Sequence, residues 1–257
     1  MSIFIESASN SKFKFIKNLT KKKYRLKEEK FLVEGYRIIK QIFEKNLLNT
    51  IIIDASLAQE KINELKDEFS KIDMIFLDKK LFGQISDTKN SQGIMGICKM
   101  NLDLDMNLDE EFILVLDRVQ DPGNMGTIIR TADAVGIKNI ILLKGCVDPF
   151  NEKALRSSMG SICNLRLFNL EEEETLNLLK DNGYSIVSTF LRTNNYYDKV
   201  KYPNKVALVI GNEANGISDN LMQNSDILVK IPIFGEVESL NASIASAIMM
   251  YKIKETK

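Results

Sequence analysis

Residues 112–135 read FILVLDRVQDPGNMGTIIRTADAV. The five apolar residues at 112–116 predict a strand that is buried on both faces. The turn residues at 121–124 predict the start of a helix over 123–135. Within that helix, Met125, Ile128, Ile129 and Ala132 follow the spacing of a single apolar stripe. This strand, turn and helix together indicate an α/β fold.

The same alternation of short apolar runs and helical patterns continues along the chain, which favours a parallel sheet covered on both faces. In the first part it predicts strands at 31–33, 50–53, 74–77 and 94–99, and helices at 36–44 and 57–69. In the second part it predicts strands at 139–143, 165–168, 184–190, 206–210 and 227–231, and helices at 151–158, 171–181 and 239–254. Residues 100–111 are acidic without a sustained pattern, so they predict a linker between domains at 1–105 and 106–257.

The chain contains no histidine. A Ser-His-Asp triad and a histidine-ligated metal are therefore excluded, and any proton chemistry must use other groups. Cys98, Cys146 and Cys163 are widely spaced, which argues against a disulfide framework or a zinc site and fits a reducing cytosol. No apolar run approaches the roughly 18 residues of a membrane span, so we expect a cytoplasmic protein that binds neither a membrane nor a metal.

Lysine plus arginine and aspartate plus glutamate number 35 each, so the net charge indicates no partner. The distribution is more informative, because residues 12–30 contain nine basic residues and only two acidic ones. Such a cluster either binds RNA phosphates or is a solvated surface. The candidate RNA-binding residues are Lys12, Lys14, Lys21, Lys22, Lys23 and Arg25.

Three polar stretches follow predicted strands. The first contains Asn124 and Arg130, which either face a ligand cleft or are a helix cap and a solvated side chain. The second, LVIGNEANGIS at 208–218, contains Gly211 and Glu213 and either approaches a ligand or forms a tight turn.

The third stretch, KIPIFGEVESLNASIAS at 230–246, places Ser239 where it would cap a helix whose first residues include Asn241. That helix start either binds a ligand or is an ordinary capped core helix. No stretch fits a G-x-G-x-x-G, P-loop or G-x-S-x-G motif. From the residues alone, the prediction stops at a ligand site with arginine, glutamate, asparagine and serine as its polar groups.

The motifs DPGNMGTIIRTADAVG, VIGNEANGIS and IPIFGEVESLNASIA resemble, in order, the signatures of the SpoU (TrmH-like) family of RNA 2′-O-ribose methyltransferases in the SPOUT superfamily. Ile217 replaces the usual leucine of the second motif, which conserves volume. The resemblance implies a parallel α/β catalytic domain with a deep trefoil knot, S-adenosylmethionine as cofactor, and a homodimer. It also implies an RNA substrate.

Residue by residue, the resemblance implies catalytic or site-forming roles for Asn124, Arg130, Glu213, Ser239 and Asn241. It implies that the residues lining the methyl donor are Gly211, Ile231 and Leu240. Residues 1–105 are similar to an N-terminal α/β substrate-binding domain related to small ribosomal RNA-binding proteins, which favours ribosomal RNA, most simply that of the large subunit.

In this interpretation Arg130 acts on the ribose 2′-hydroxyl, either as a cation that stabilises the developing alkoxide or as a base assisted by an RNA phosphate. Four alternatives stay open from the sequence. They are a transfer RNA methyltransferase, a methyltransferase that confers antibiotic resistance, a non-enzymatic RNA-binding or ribosome-assembly protein, and an enzyme that acts on a small molecule.

Overall fold

The computed structural model describes residues 2–88, 90–100 and 106–256. Its contacts divide the chain into two compact units. The N-terminal unit comprises Met1–Asn101 together with Phe150–Arg156, and the C-terminal unit comprises Leu102–Pro149 and Ser157–Lys257. The boundary predicted at residue 105 lies outside the described residues and stays a prediction.

The N-terminal unit alternates strands and helices. Its elements are β1 (Ser2–Ile5), α1 (Ser11–Asn18), α2 (Lys22–Glu28), β2 (Lys30–Glu34), α3 (Tyr36–Glu44), β3 (Leu48–Asp54), α4 (Gln59–Glu68), β4 (Asp73–Leu77), α5 (Lys79–Gly83) and β5 (Ile94–Lys99). The strands form a sheet in the order β1-β4-β3-β5-β2. The strands β1, β4 and β3 are parallel, whereas β5 runs antiparallel to both β3 and β2.

The strands and helices predicted for this unit are confirmed, but β1, α1, α2 and α5 were not predicted. The helix α1 lies within the basic stretch, and its eight residues are too few to show a clear helical pattern of apolar side chains. Phe13, Ile16 and Leu19 point into the core, while Asn10 caps the helix by accepting a hydrogen bond from the amide of Lys12 over 2.9 Å. The four-residue edge strand β1 is too short to give a clear alternating pattern.

The C-terminal unit contains the longer run of predicted elements. They are β6 (Phe112–Leu116), α6 (Pro122–Val135), β7 (Asn139–Leu143), α7 (Glu152–Ser158), β8 (Arg166–Leu170), α8 (Glu172–Asp181), β9 (Ser185–Thr189), β10 (Val206–Ile210), α9 (Asp219–Gln223), β11 (Ile227–Val229) and α10 (Ala242–Glu255), with a short 3₁₀ turn at Ser161–Asn164. Only α9 and the 3₁₀ turn were not predicted from the sequence. The residues of α7 up to Arg156 belong to the N-terminal unit.

The segment Phe150–Arg156 follows strand β7 of the C-terminal unit in sequence but packs with the N-terminal unit. The rings of Phe150 and Phe31 lie 5.0 Å apart between centroids, and the guanidinium of Arg156 lies 3.2 Å from the carboxylate of Asp87. The sequence analysis predicted two continuous domains and did not predict that residues 150–156 would pack with the N-terminal unit.

Within the described residues, the strands of the C-terminal unit form one parallel sheet in the order β11-β9-β10-β6-β7-β8. All five residues of each of β6, β7 and β10 are buried. One face, including Ile113 and Val115, packs with residues of α8 such as Leu176. The prediction of a parallel sheet covered on both faces is confirmed.

The sheet order reverses direction between β6 and β10. From β6 the chain moves through β7 to β8 on one side, then returns to build β9, β10 and β11 on the other. In open α/β sheets such a switch point lies beside a crevice at the carboxyl ends of the strands, where ligands bind. The first two polar motifs directly follow β6 and β10, so the topology places both at this crevice. Among the described residues, no helix is long and apolar enough to cross a membrane.

Candidate active site

The first motif begins the helix α6. Asp121 caps this helix and accepts a hydrogen bond of 2.8 Å from the main-chain amide of Asn124, and Pro122 is its first residue. The predicted apolar stripe, from Met125 to Ala132, is buried as expected. The alternative in which Asn124 caps the helix is wrong, because Asp121 has that role. The side chain of Asn124 is therefore available for other contacts.

Asn124 joins the three motifs. Its Nδ2 donates to Oε1 of Glu213 over 2.7 Å, and its Oδ1 accepts from Nδ2 of Asn241 over 3.0 Å. The three side chains are partly or fully exposed. The structure thus brings together one residue from each motif in a solvent-facing chain of hydrogen bonds, which we call the polar triad.

Asn241 also begins the helix α10. Its Oδ1 accepts hydrogen bonds from the main-chain amide of Ser243 over 2.9 Å and from the Ser243 hydroxyl over 2.6 Å. The prediction that Ser239 caps this helix is wrong, because the helix begins later and Asn241 is the cap. Ser239 is exposed in the loop that precedes the helix. Because the helix start fixes the side-chain Oδ1 of Asn241, the Nδ2 of the same side chain is directed at Asn124.

Glu213 lies in a tight loop after β10. Asn212 and Gly216 exchange two main-chain hydrogen bonds of 2.9 Å across this loop. A Cβ atom on Gly211 would lie 2.3 Å from the carbonyl carbon of Gly216, a distance that side chains do not tolerate. Gly211 is therefore required by the close approach of the chain's own loop, not by a left-handed backbone.

Two residues that the sequence analysis missed support this loop. Asp117, only 1% exposed, accepts hydrogen bonds of 2.8 Å from Nε and Nη2 of Arg118 and from the amide of Ser218. The Nδ2 of Asn212 donates to the carbonyl of Arg118 over 2.9 Å. Asp117 thus ties the end of β6 to the loop that carries Glu213. A carboxylate directly after a buried strand was the signal that could have identified it.

Arg118 is held in an unusual conformation. Its φ of 54° lies in the left-handed region, which is unfavourable for a residue with a side chain. The hydrogen bond from the guanidinium to Asp117 raises the pKa of Arg118 above its ordinary value. Gly145 leaves room for this side chain, since a Cβ at that position would lie 2.9 Å from Cγ of Arg118.

Arg130 is exposed and lies on a different face of α6 from Asn124. Six helical positions separate them, which corresponds to roughly 240° of rotation and about 9 Å of rise. The neighbouring exposed residues on its face are small, Thr127 and Ala134. Arg130 therefore lies on a different face of α6 from the polar triad of its own chain, and among the described residues no hydrogen bond joins it to the other predicted catalytic residues.

Ile231 and Leu240 mark the two ends of the loop between β11 and α10. Both side chains are half-buried, and Ile231 lies beyond the end of β11 instead of within the predicted strand. Within this described loop, residues 231–240 make no main-chain to main-chain hydrogen bond. Its amides and carbonyls are therefore available to a ligand that is recognised through backbone groups.

The thiol of Cys146 lies near the end of β6 and donates to the carbonyl of Leu116 over 3.2 Å. Burial raises the pKa of this thiol to about 11, so it stays protonated at neutral pH and is not a nucleophile. Among the described residues, no group of three or more cysteine, aspartate or glutamate side chains is arranged to hold a metal ion.

The predicted basic residues lie on α1, α2 and the turn between them. Five of the six are exposed, namely Lys12, Lys14, Lys21, Lys22 and Lys23. Arg25 is 5% exposed, and its Nη1 donates to the carbonyls of Leu19 and Thr20 over 2.9 and 2.7 Å. Arg25 is therefore less suited to contact RNA than the five lysines, because its guanidinium joins α1 to α2.

Comparisons with known proteins agree with this arrangement. Residues 111–251 match the SpoU rRNA Methylase family, and residues 10–96 match the MRM3-like substrate binding domain. The 23S rRNA (guanosine(2553)-2′-O)-methyltransferase RlmP of Bacillus subtilis is 33% identical to this chain, and the match covers 97% of this chain and 98% of the relative.

Solved structures of similar proteins cover nearly the whole chain. An AdoMet-bound rRNA methyltransferase from Sinorhizobium meliloti has a TM-score of 0.86 and 28% identity, covering 99% of this chain and 98% of that one. The SpoU methyltransferase AviRb from Streptomyces viridochromogenes, in complex with AdoMet, has a TM-score of 0.83 and 25% identity, covering 96% and 97%. The resemblance of the three motifs is confirmed, and the chain belongs to the SpoU rRNA methylase family.

Proposed function

We propose that this protein transfers the methyl group of S-adenosylmethionine to a ribose 2′-hydroxyl of ribosomal RNA, most simply that of the large subunit. The observation that carries the proposal is the polar triad, in which Asn124 bonds to both Glu213 and Asn241. A non-enzymatic RNA-binding protein would have no need to align these groups at a topological switch point. The full-length similarity to a 23S rRNA 2′-O-methyltransferase supports the same substrate.

The loop at 231–240 and the loop after Gly211 fit the proposed cofactor. Free main-chain groups suit the polar edge of an adenine, and the half-buried side chains of Ile231 and Leu240 suit its faces. We assign cofactor binding to Gly211, Ile231 and Leu240. A trefoil knot through these loops and a location in the cytoplasm, where ribosomes are assembled, are part of the same proposal.

S-adenosylmethionine, when bound, supplies a methyl group that is already activated by a sulfonium. The protein must then orient the ribose and stabilise the developing alkoxide. As the 2′-oxygen bonds to the methyl carbon, the carbon–sulfur bond would break to leave S-adenosylhomocysteine, and the hydroxyl proton would pass to solvent. We assign the first task to Asn124, Glu213, Ser239 and Asn241. We assign the second to the positively charged guanidinium of Arg130, since the chain contains no histidine that could act as the base.

Arg130 can perform this task only if a second copy of the chain supplies it, because it lies on a different face of α6 from the triad of its own chain. We therefore propose a homodimer with two sites, each combining one triad with the partner's arginine. An exposed apolar stripe on α10 supports this proposal. Ile244 and Tyr251 are 50% and 48% exposed, and the half-buried Ala247 and Ile248 lie between them on the same face.

The lysines of the N-terminal unit supply the proposed RNA contact. Lys12, Lys14 and Lys21–Lys23 are exposed on a unit that matches a substrate-binding domain. Their charges are suited to neutralise phosphates and to hold the RNA without reading its sequence.

The direct test of activity uses purified protein, methyl-labelled S-adenosylmethionine and unmodified RNA transcripts. We expect label to enter large-subunit ribosomal RNA and not transfer RNA. Preferential labelling of transfer RNA would show that transfer RNA, and not ribosomal RNA, is the substrate. Binding of RNA without any methyl transfer would favour the non-enzymatic alternative. Calorimetry with S-adenosylmethionine separates an inactive preparation from a protein that does not bind the cofactor.

The proposed dimer is tested by mixing subunits. Arg130→Ala and Asn241→Ala should each be inactive alone. Co-expressed subunits that assort at random should recover about a quarter of wild-type activity, because half of the dimers are mixed and each then holds one complete site. A mixture as inactive as its components would show that Arg130 does not act across subunits.

A further inference from the structure

We propose that the aromatic rings of Phe234 and Tyr196 form a stacking surface for unpaired bases of the RNA substrate beside the methylated nucleotide. This inference rests on the proposed function and adds how the C-terminal unit itself recognises RNA. The sequence analysis assigned no role to either residue.

The two rings belong to neighbouring segments at the carboxyl edge of the sheet. Residues 190–197 run along the end of β11. The amide of Phe190 donates to the carbonyl of Val229 over 2.8 Å, and the amide of Tyr197 donates to the carbonyl of Lys230 over 3.0 Å. Tyr196 is thereby paired with Lys230, the residue that precedes the loop 231–240. Phe234 lies in that loop, and the triad residue Asn241 directly follows the loop.

Phe234 is 95% exposed and Tyr196 is 44% exposed. A phenylalanine side chain that is almost wholly in water gains nothing from packing within its own chain. Its position in the loop leading to the triad indicates that the ring is used when substrate binds. Base rings stack on aromatic side chains irrespective of sequence, and single-stranded RNA presents such bases.

The charges around the two rings favour a base as the occupant. The ammonium of Lys230 lies 5.1 Å from the centre of the Tyr196 ring, and Arg192 is exposed in the same segment. These cations suit phosphates next to a base stacked on Tyr196. Glu236 and Glu238 are exposed two and four positions after Phe234 in the same loop, and their charges disfavour phosphates there but not the uncharged face of a base. The backbone of the RNA would then pass on the Tyr196 side.

The test compares Phe234→Ala, Phe234→Trp and wild-type protein in binding to unmodified large-subunit RNA transcripts without S-adenosylmethionine, and separately in the KM for RNA with it. We expect Phe234→Ala to weaken RNA binding and raise the KM for RNA by about 5- to 100-fold, and Phe234→Trp to restore both. The affinity for S-adenosylmethionine should not change. Phe4, another exposed phenylalanine on β1, provides the matched control, and Phe4→Ala should bind RNA like wild type.

Three outcomes would overturn the inference. They are wild-type RNA affinity in Phe234→Ala, an equal loss of S-adenosylmethionine affinity, which would assign the ring to the cofactor, and a change of oligomeric state, which would assign it to a second copy of the chain. Because RNA binding is measured separately from methyl transfer, an enzyme that transfers no methyl group would contradict the proposed function without deciding this point.

Discussion

The Nδ2 atom of Asn124 donates a hydrogen bond of 2.7 Å to Oε1 of Glu213, although 89 positions separate the two residues. One follows β6 and the other follows β10, and these strands are neighbours in the sheet. The contact therefore follows from the strand order, which places two distant loops at one switch point. It fixes which way the Asn124 amide faces and, with it, the orientation of the polar triad.

Replacing Asn124 by Asp should reduce methyl transfer by at least about 10-fold, as measured by label incorporation into RNA. The carboxylate keeps the acceptor for Asn241 but places a negative charge where Glu213 accepts a hydrogen bond. The fold should survive, because an acidic residue is favourable in the first turn of a helix. Asn220→Asp is the matched control, since Asn220 donates over 2.8 Å to Glu172 at an exposed position. Equal losses in both variants would contradict a specific role for Asn124.

Replacing Asp117 by Asn should lower the free energy of unfolding by about 2–3 kcal/mol, because the buried partner of an ion pair is lost. Asparagine has a single acceptor oxygen, so it cannot accept from both Nε of Arg118 and the amide of Ser218, and one tie to the loop that carries Glu213 is lost. Chemical denaturation followed by circular dichroism measures the stability. Asp181→Asn, at an exposed carboxylate, should change it by less than about 0.5 kcal/mol. A stable Asp117→Asn variant would show that the loop is held by other contacts.

The carboxyl group of Glu152 should make the N-terminal unit less stable as the pH rises from about 4.5 to 7. Burial, and then the charge of Asp87, raise its pKa from 4.5 to about 7, so the folded state binds a proton that the unfolded state has released. Above pH 7 the folded protein holds a half-buried, unfavourable charge.

Glu152→Gln removes this charge and should stabilise the protein at pH 8 by about 1–2 kcal/mol, after allowance for partial solvent screening, with little effect near pH 4.5. Thermal unfolding at both pH values measures the difference. Glu173→Gln, at an exposed carboxyl, is the control. A stabilisation that is the same at both pH values would contradict the titration of Glu152.

Charge reversal of Lys21, Lys22 and Lys23 to Glu should weaken RNA binding and flatten its dependence on salt. If each lysine neutralises one phosphate, the slope of log affinity against log salt should fall by about 2–3. Titrations at several salt concentrations measure the slope. An unchanged slope would indicate that these lysines are a solvated surface and do not bind RNA phosphates. The control reverses three exposed lysines elsewhere in the N-terminal unit, at Lys45, Lys71 and Lys79.

Much of the catalytic fold could be predicted from sequence because its central strands are short, fully buried runs. The bounds predicted for β6, β7 and β10 agree with the structure, since four or five consecutive apolar residues leave little ambiguity. The helix α1 was missed because its buried apolar residues, Phe13 and Ile16, are few and lie among lysines. Its charge pattern was more conspicuous than its periodicity.

The site was predicted only in part, for a different physical reason. Motif order identified Asn124, Glu213 and Asn241, but the pairing of Asp117 with Ser218 depends on strands that meet in space. The burial of Arg25 depends likewise on a turn between α1 and α2 that the sequence analysis had not predicted. Arg130 is the reverse case, since the role proposed for it requires a second subunit.

The central claim is that the methyl group is placed on a ribose oxygen. Unmodified large-subunit RNA should be incubated with the protein and S-adenosylmethionine, digested to nucleosides and analysed by mass spectrometry, with alkaline hydrolysis to locate the modified position. We predict one nucleoside with a methylated ribose, at a linkage that resists alkali, and none with the Arg130→Ala variant. A methyl group on a base, or equal methylation by Arg130→Ala, would contradict the account.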